Sequence, residues 1–351
     1  MDVLFWLNEA SRTVPGGHQT QMDQTGSALR RLGHQIVISD NPDADPGGFD
    51  VVHGLGLGLS QVQRAEQAGV PVVLSTIWWP LAYRNGWQAP FGVGKIRRQT
   101  RRFAAEAYWR WSGQDQRLPG AEARLVYPKA CVLLPNGPAE ARSVRKDLGV
   151  ITPIQVVPNA VDEAVFSPTA SARDDFILMV GRLEPHKNQL DTLRILTRQE
   201  RPVVVVGFPH PDHPAYAEAC RAALRPQDRI HTALPSSSLL SLYRQAAVHV
   251  LNSWFETTGL ASLEAGACAT PLVSTTRGFA RDYFGDSIEY SDPARQATLM
   301  AAVRRAPTRD ARSLSLDIRS KYTWKRAAQA TEKAYLVATG NLNPRHLTQT
   351  L

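Results

Sequence analysis

Short apolar runs alternate with longer stretches of helical periodicity along the chain. The apolar runs are continuous instead of alternating with polar residues, which is typical of strands buried on both faces of a parallel sheet. In the first half, the pattern predicts strands at 2–7, 34–39, 50–54, 71–76, 130–134 and 154–157, and helices at 18–32 and 60–68. A βαβ domain is therefore expected over residues 1–160.

The same pattern begins again after a polar stretch that ends at residue 175. It predicts strands at 176–180, 202–206, 247–251 and 271–274, and helices at 187–198, 213–224, 237–245 and 260–267. Two such series predict an α/β protein with two Rossmann-like, doubly wound parallel-sheet domains that face a central cleft, the second covering residues 161–321. The polar residues 341–351 are expected to form a disordered tail.

Composition narrows the class of protein. Of the 351 residues, 43% are hydrophobic and 21% charged, so the chain can bury two cores. No apolar run reaches the roughly 18 residues of a membrane span, and the N-terminus lacks the basic residues of a secretory signal. The cysteines are scattered without C-x-x-C spacing, which argues against disulfides and structural zinc. We expect a cytoplasmic protein.

The excess positive charge is concentrated in one segment. Residues 95–146 hold twelve Lys or Arg and four acidic residues. The difference, +8, equals the net charge of the whole chain. Within it, 95–111 predicts an amphipathic helix with Arg97, Arg98, Arg101 and Arg102 on one face, Tyr108 and Trp109 beside them, and the stripe Ile96, Thr100, Phe103, Ala107 and Trp111 opposite. This pattern favours an acceptor or membrane site facing anionic lipid, with nucleic acid and a plain surface helix as alternatives.

The first motif is the glycine pair Gly16–Gly17 between the first predicted strand and its helix. Glycines let the backbone approach a ligand, and the helix N-terminus offers N–H groups to phosphate. The spacing is neither G-x-G-x-x-G nor a P-loop, so no nicotinamide cofactor is expected. A plain turn is the alternative for this pair alone.

The second motif, Gly181–Gln189, follows the first strand of the second half. Arg182 and Lys187 lie at the start of a predicted helix, where cations are disfavoured by the helix dipole unless an anion is bound there. Arg supplies bidentate donors and Lys a compact charge. The pair therefore predicts an anion site, with two solvated cations as the alternative.

The third motif follows the strand at 247–251. Glu256 lies in a loop and Glu264 two turns into the next helix, with Thr258, Gly259 and Leu260 at the helix start. A helix N-terminus suits a pyrophosphate, and a carboxylate on an otherwise apolar helix calls for hydroxyl donors such as a ribose diol. The alternative is a helix cap followed by a half-exposed glutamate.

Together these segments resemble retaining glycosyltransferases of the GT-B fold, specifically glycosyltransferase family 4. The resemblance rests on 156–162, 181–189, the E-x7-E spacing of Glu256 and Glu264, 271–274, and 322–328. It implies transfer of a sugar from a nucleotide-diphosphate donor with retention, without a metal or other cofactor. It also implies that a helix over 322–340 crosses back to the N-terminal domain.

The resemblance assigns roles residue by residue. Arg182, Lys187 and Glu256 are the implied catalytic residues, the cations on the diphosphate and the acid facing the donor sugar. The implied donor-binding residues are Gly16, Gly17, Asn159, Gly181, Thr258, Gly259, Leu260 and Glu264, the last on the ribose. The departure is Ile77, which stands where family members often carry a histidine; His53 is the candidate substitute for contact with the donor sugar.

Two other sets of polar residues are interpreted as loops. Asp43 and Asp45 have the D-x-D form that holds a metal in other transferases, but Pro46-Gly47-Gly48 indicates a turn. His210 and His213 lie among prolines without a further ligand. No metal site is therefore predicted.

The sequence thus predicts a glycosyltransferase in surface-polysaccharide or glycolipid assembly. Its partners would be a UDP- or GDP-sugar, a lipid-linked or saccharide acceptor and an anionic membrane, the protein attaching peripherally to the inner face of the cell membrane. The alternatives are transfer to a modified nucleic-acid base and a non-catalytic nucleotide-sugar-binding protein.

Overall fold

The computed structural model describes residues 1–7, 16–81, 93–112, 114, 117–170 and 172–348. The chain forms two compact units, which we call unit 1 (residues 1–159 and 324–351) and unit 2 (residues 160–323). Among the described residues, no helix is long and apolar enough to cross a membrane.

Unit 1 is built from a parallel sheet with helices packed on it. Its strands are β1 (Asp2–Leu7), β2 (Gln35–Ser39), β3 (Val51–Leu55), β4 (Val72–Ser75) and β5 (Val132–Leu134). Its helices are α1 (Gly17–Arg31), α2 (Leu59–Gln67), α3 (Val93–Trp111), α4 (Ala121–Val126), α5 (Pro138–Leu148) and, from the C-terminal part of the chain, α13 (Trp324–Ala338).

The strand order in this sheet is β2-β1-β3-β4-β5, all parallel. Leu4 stands opposite Val52 in the register, and both belong to a buried core with Trp6, Leu74 and Leu133. The continuous apolar runs are buried on both faces, as the sequence predicted. The carboxyl ends of β4 and β5 therefore lie side by side at one edge, which positions the polar cluster described below.

Unit 2 repeats this plan. Its strands are β6 (Ile177–Val180), β7 (Val203–Val206), β8 (Arg229–His231), β9 (Val248–Leu251), β10 (Leu272–Thr275) and β11 (Glu289–Ser291), in the parallel order β11-β10-β9-β6-β7-β8. Its helices are α6 (Gln189–Leu196), α7 (Pro214–Ala222), α8 (Ser236–Gln245), α9 (Leu260–Ala267), α10 (Arg281–Phe284), α11 (Gln296–Arg305) and α12 (Ala311–Lys321). Because β6 and β9 are neighbours, the loops that follow them meet.

Arg173 ties together the C-terminal ends of α8 and α9. Its guanidinium donates to the carbonyl oxygens of Arg244 (2.8 Å), in the last turn of α8, and Ala246 (3.2 Å), directly after it. It also donates to those of Cys268 (3.1 Å) and Ala269 (2.6 Å) after α9. Helix C-termini leave carbonyls unpaired and carry partial negative charge, so one cation satisfies both. The two helices are thereby held at a fixed relative position.

Two predictions for unit 1 need correction, one near the end of its first segment and one at the C-terminus of the chain. Residues 154–157 do not form a regular strand; only Ile154 bridges to β5, at Leu133. The predicted disordered tail is ordered over 341–348, because Thr348 accepts a hydrogen bond from the Val156 backbone (2.8 Å) and donates one to Gln155 (2.8 Å). These bonds hold residue 348 against residues 155 and 156.

Helix α3 forms where the basic amphipathic helix was predicted, and three members of its predicted stripe have described side chains. Thr100 and Ala107 are exposed, and 84% of Trp111 is exposed. The side chains of Arg97, Arg98, Arg102 and Phe103 lie outside the described residues. A helix can satisfy its own backbone without tertiary packing, so the periodicity predicts the helix whether or not its apolar stripe is buried.

Candidate active site

The loop after β6 carries the first two cations. It leaves the strand at Gly181, makes a 3-10 turn over Pro185–Lys187 and enters α6 at Gln189. Asn188 takes the left-handed conformation before the helix, and its side chain donates to the Asn252 carbonyl after β9 (3.1 Å). This bond fixes the loop against its neighbour.

Lys187 and Arg182 have different carboxylate partners. Lys187 Nζ donates to Glu256 Oε1 at 2.7 Å, while Arg182 Nη2 lies 3.1 Å from Glu184 Oε1. The Lys187 and Arg182 side chains are 21% and 23% exposed, so both remain accessible to a ligand. The structure thus brings Lys187 and Glu256 together and gives Arg182 a separate local partner.

Glu256 is held by both its side chain and its backbone. Ser253 Oγ donates to Oε1 at 2.6 Å, and the Glu256 backbone pairs with the segment around Gly278. Burial raises the pKa of Glu256, but the charge of Lys187 and the hydrogen bonds from Lys187 and Ser253 more than offset burial, so this pKa lies below its usual value. Glu256 is therefore an ionised, oriented carboxylate at neutral pH.

The backbone partner of Glu256 has to be glycine. At Gly278 φ is +120°, and a Cβ there would lie 1.9 Å from the Glu256 carbonyl oxygen. The backbones approach closely because Glu256 N–H donates to the Arg277 carbonyl (3.2 Å) and Phe279 N–H donates to that of Glu256 (2.8 Å). A side chain at position 278 would displace Glu256.

Glu264 lies on α9, where Gly259 in the left-handed conformation precedes Leu260 at the helix start. Thr258 is buried, and the first N–H groups of α9 point to the same end of the helix. Glu264 is half-buried, and Tyr243 on α8 donates to its Oε2 at 2.7 Å. Burial raises the pKa of Glu264 to about 7, partly countered by the Tyr243 hydrogen bond.

The glycine pair and Asn159 belong to unit 1. Gly16 has extended backbone before α1, and Gly17 is the first residue of that helix, as the motif predicted. Asn159 is buried at the end of unit 1. Their roles in donor binding stay predictions.

His53 is a core residue in this structure, which corrects its assignment to a donor sugar. It is 1% exposed, and its ring nitrogens lie 2.6 Å from the Tyr335 hydroxyl and 2.8 Å from Ser75 Oγ. Burial lowers the pKa of His53 to about 3, so the ring is neutral. A ligand would have to displace both partners to reach it.

Sequence analysis missed a buried carboxylate at the carboxyl ends of β4 and β5. Glu140 accepts hydrogen bonds from Thr76 Oγ1 (2.7 Å), Trp78 N–H (2.7 Å) and Asn136 N–H (2.9 Å). Burial nevertheless raises the pKa of Glu140 to about 7. The only local signal is its position in the first turn of α5, which favours an acid.

A second acid of α5 holds the end of the same loop. Asp147 Oδ2 accepts from Trp78 Nε1 (2.9 Å) and from Leu81 N–H (2.9 Å). The segment after β4, which carries Ile77, is therefore fixed to α5 at both ends.

The remaining predicted residues lie on α3 and in two loops. Arg101 is exposed and Trp109 half-buried on α3. Asp43 accepts from Arg64 Nη2 (2.7 Å), and Asp45 from the Gly47 backbone (2.9 Å), as in a surface turn. Within the described part of the chain, no cluster of three His, Cys, Asp or Glu side chains could hold a metal ion.

Residues 161–308, which include the Lys187–Glu256 pair and Glu264, match the family model described as glycosyl transferases group 1. This segment is a group 1 glycosyltransferase domain. It accounts for most of unit 2.

Relatives extend the similarity beyond the glycosyltransferase domain. The chain is 30% identical over 288 residues to the D-inositol 3-phosphate glycosyltransferase of Acidothermus cellulolyticus, covering 72% of this chain and 59% of that protein. It is 31% identical over 202 residues to the glycogen synthase of Mycobacterium tuberculosis, covering 53% of this chain and 49% of that protein. The matches to the first relatives span 59% and 62% of their length.

Solved structures share the fold. Sucrose-phosphate synthase from Thermosynechococcus elongatus superposes with a TM-score of 0.73 at 14% identity, covering 95% of this chain and 98% of that one. The Anabaena Alr3699/HepE complex with UDP and glucose superposes with a TM-score of 0.65 at 13% identity, covering 95% of this chain and 98% of that one. The predicted fold class, GT-B with two parallel-sheet α/β domains, is confirmed.

Proposed function

We propose that the protein is a retaining glycosyltransferase that moves a sugar from a UDP- or GDP-sugar to an acceptor. The observation that carries the proposal is the meeting of Lys187 and Glu256 at 2.7 Å, where the loops after neighbouring strands β6 and β9 join inside a group 1 glycosyltransferase domain. An oriented ion pair of a buried carboxylate and an accessible lysine, at the carboxyl ends of parallel strands, is the arrangement expected of a ligand site.

The geometry supports a role for each side chain. Lys187 and Arg182 are accessible cations that can bind the diphosphate and stabilise the charge that builds on it as the glycosidic bond breaks. Glu256 is ionised and can face the donor sugar, whose anomeric carbon becomes positive in the transition state. The start of α9, with Thr258, Gly259 and Leu260, offers backbone N–H groups to phosphate, and Glu264 can accept from ribose hydroxyls.

A donor-hydrolysis screen tests the proposal. The purified chain is incubated with UDP-, GDP-, ADP- and dTDP-sugars, and release of the nucleotide is measured. We expect turnover of a UDP- or GDP-sugar, and NMR of the early product should show the anomeric configuration of the donor. Inversion would overturn the retaining mechanism, and the absence of both turnover and nucleotide binding would favour a different function.

A second observation favours an acceptor at a membrane surface. On α3, Trp111 is 84% and Tyr108 55% exposed, their ring centroids are 6.3 Å apart, and Arg101 and Arg110 are exposed on the same helix. Exposed aromatic rings beside cations suit the interface of an anionic lipid bilayer. We propose that unit 1 binds such a surface and that the acceptor is lipid-linked, as in polysaccharide or glycolipid assembly.

Liposome sedimentation tests this second proposal. The protein should sediment with anionic but not neutral vesicles, and about 0.5 M salt should release it because screening shortens the reach of the charges. Changing Trp111 to Ser and Arg101 and Arg110 to Glu should abolish sedimentation and spare donor hydrolysis. Binding to duplex DNA in place of vesicles, with a steep salt dependence, would support the nucleic-acid alternative.

A further inference from the structure

Tyr243 joins the apolar core of unit 2 to the edge of the candidate site. Its side chain is fully buried, with ring contacts to Phe166 (6.1 Å between centroids) and His249 (6.0 Å). Its hydroxyl leaves this core and donates to Glu264 Oε2 at 2.7 Å. The ring is therefore held by edge-to-face contacts, and the only polar atom of the side chain donates to a half-buried carboxylate.

The Tyr243 hydroxyl is the donor to the ionised form of Glu264. Burial raises the pKa of Tyr243 well above its usual value, and the neighbouring Glu264 raises it further, so the hydroxyl keeps its proton. A carboxylate offers about four acceptor positions on two oxygens. A donor held at Oε2 restrains the orientation of the Glu264 carboxylate and leaves Oε2 with one of its acceptor positions occupied.

The charge state of Glu264 depends on this donor too. Burial alone would protonate the carboxyl at neutral pH, and the bond from Tyr243 acts in the opposite direction. The titratable groups near the Glu264 carboxyl are Tyr243 on α8 and Cys268, which directly follows α9. A protonated Glu264 would accept hydroxyl groups less well, because the ionised form is the stronger acceptor.

We propose that Tyr243 is a positioning residue for nucleotide recognition: it holds Oε2 of Glu264 so that Oε1 accepts a ribose hydroxyl of the donor nucleotide. The inference rests on the proposed function, since it requires a nucleotide with a ribose. It adds a residue 21 positions away from Glu264 that touches no substrate itself. Its effect is confined to ligands that carry the 2′ and 3′ hydroxyl groups.

The test compares Tyr243→Phe with the wild type in calorimetric titrations of UDP and of 2′,3′-dideoxy-UDP, or of the GDP pair if the wild type prefers GDP. The wild type should bind the ribonucleotide roughly tenfold more tightly than the dideoxy form, the size expected of a hydrogen bond to a charged group. In Tyr243→Phe this preference should fall below about threefold, while dideoxy binding stays within about twofold of the wild type.

Two further variants separate positioning from stability. Tyr290→Phe removes another tyrosine hydroxyl of unit 2, one that donates to the Gly285 carbonyl (2.7 Å), and should leave the preference unchanged. In a Glu264→Gln background, Tyr243→Phe should have no further effect on the preference, because the residue it orients has been replaced.

The outcomes are distinguishable. If Tyr243→Phe weakens the binding of both nucleotides equally, or keeps the wild-type preference for the ribonucleotide, the positioning role is overturned while the proposed function stands. If the wild type binds none of UDP, GDP, ADP and dTDP, the proposed function itself fails. Circular dichroism and the melting temperature establish that each variant is folded.

Discussion

Lys187 Nζ lies 2.7 Å from Glu256 Oε1, although 69 positions separate the two residues in the chain. The adjacency of β6 and β9 in the sheet produces this contact, since each residue follows one of these strands. The pair keeps a buried carboxylate ionised and a lysine oriented before any ligand binds. Preorganised charges of this kind stabilise developing charge without the cost of reorganisation.

Lys187→Ala and Arg182→Ala should each lower sugar transfer to less than about a tenth of the wild-type rate, because loss of one preorganised donor typically costs about 2.7–4 kcal/mol of transition-state stabilisation. Turnover with saturating donor measures this. Arg198→Ala, at an exposed position of the same unit, is the matched control and should stay active. Retention of more than a tenth of the activity by both variants would contradict the assignment.

Gly278→Ala should reduce turnover strongly, because its Cβ would overlap the Glu256 carbonyl oxygen and φ there is +120°. The strain displaces Glu256 from its place beside Lys187. The control is Gly285→Ala, which also has positive φ but has no atom within 4 Å of the added Cβ. Equal activity of the two variants would show that the position of the Glu256 backbone does not matter.

Arg173→Ala should destabilise unit 2 by about 2 kcal/mol, because the carbonyls at the ends of α8 and α9 lose their charged donor. Arg173→Lys should recover only part of this loss, since an ammonium cannot reproduce the planar fork that reaches both helices. Urea unfolding measures the change, with Arg198→Ala again as control. A full recovery by lysine would mean that charge alone, and not the geometry of the fork, is required.

The stability of unit 1 should depend on pH through Glu140. Its pKa is raised from 4.5 to about 7 by burial, so its stabilising contribution is present below about pH 4.5 and is lost as the pH rises through about 7. The advantage in melting temperature of the wild type over Glu140→Gln should therefore shrink between about pH 5.5 and pH 8. Groups common to both proteins, such as His53, cancel in this difference.

The exposed Glu122→Gln variant is the charge control for that experiment. Its melting temperature should stay parallel to that of the wild type across the same range of pH. A constant difference between the wild type and Glu140→Gln would show that Glu140 keeps one protonation state throughout.

Removal of divalent metal should leave transfer unchanged, because Arg182 and Lys187 supply the positive charge that a metal provides in other transferases. Initial rates with and without EDTA measure this. A complete loss that Mg²⁺ or Mn²⁺ reverses would contradict the prediction and point to a metal bound with the donor.

The sequence predicted the strands of the two sheets well where burial on both faces leaves a continuous apolar run. β1 occupies residues 2–7 and α9 residues 260–267, as predicted. The edge strands β8 and β11 were missed because they are short and carry polar residues such as Arg229 and Glu289. An edge strand buries less apolar surface, so its pattern is weak.

The site was predictable only where its residues follow a strand in a recognisable motif. Lys187, Glu256 and Glu264 were predicted in this way, and the structure brings the first two into contact. Tyr243 and Glu140 were not, because their importance comes from contacts with Glu264 and with the loop after β4, which lie 21 and about 60 positions away. His53 was misassigned because its partner Tyr335 is 282 positions distant.

The two acids of α5 also define where unit 1 can be redesigned. Their bonds to the loop after β4 use the Trp78 ring and the backbone N–H groups of Trp78 and Leu81, together with the Thr76 hydroxyl. The Ile77 side chain takes no part in these four bonds. A library that varies position 77 and keeps Thr76 and Trp78 would change the chemistry displayed at the edge of the sheet while the loop retains its course.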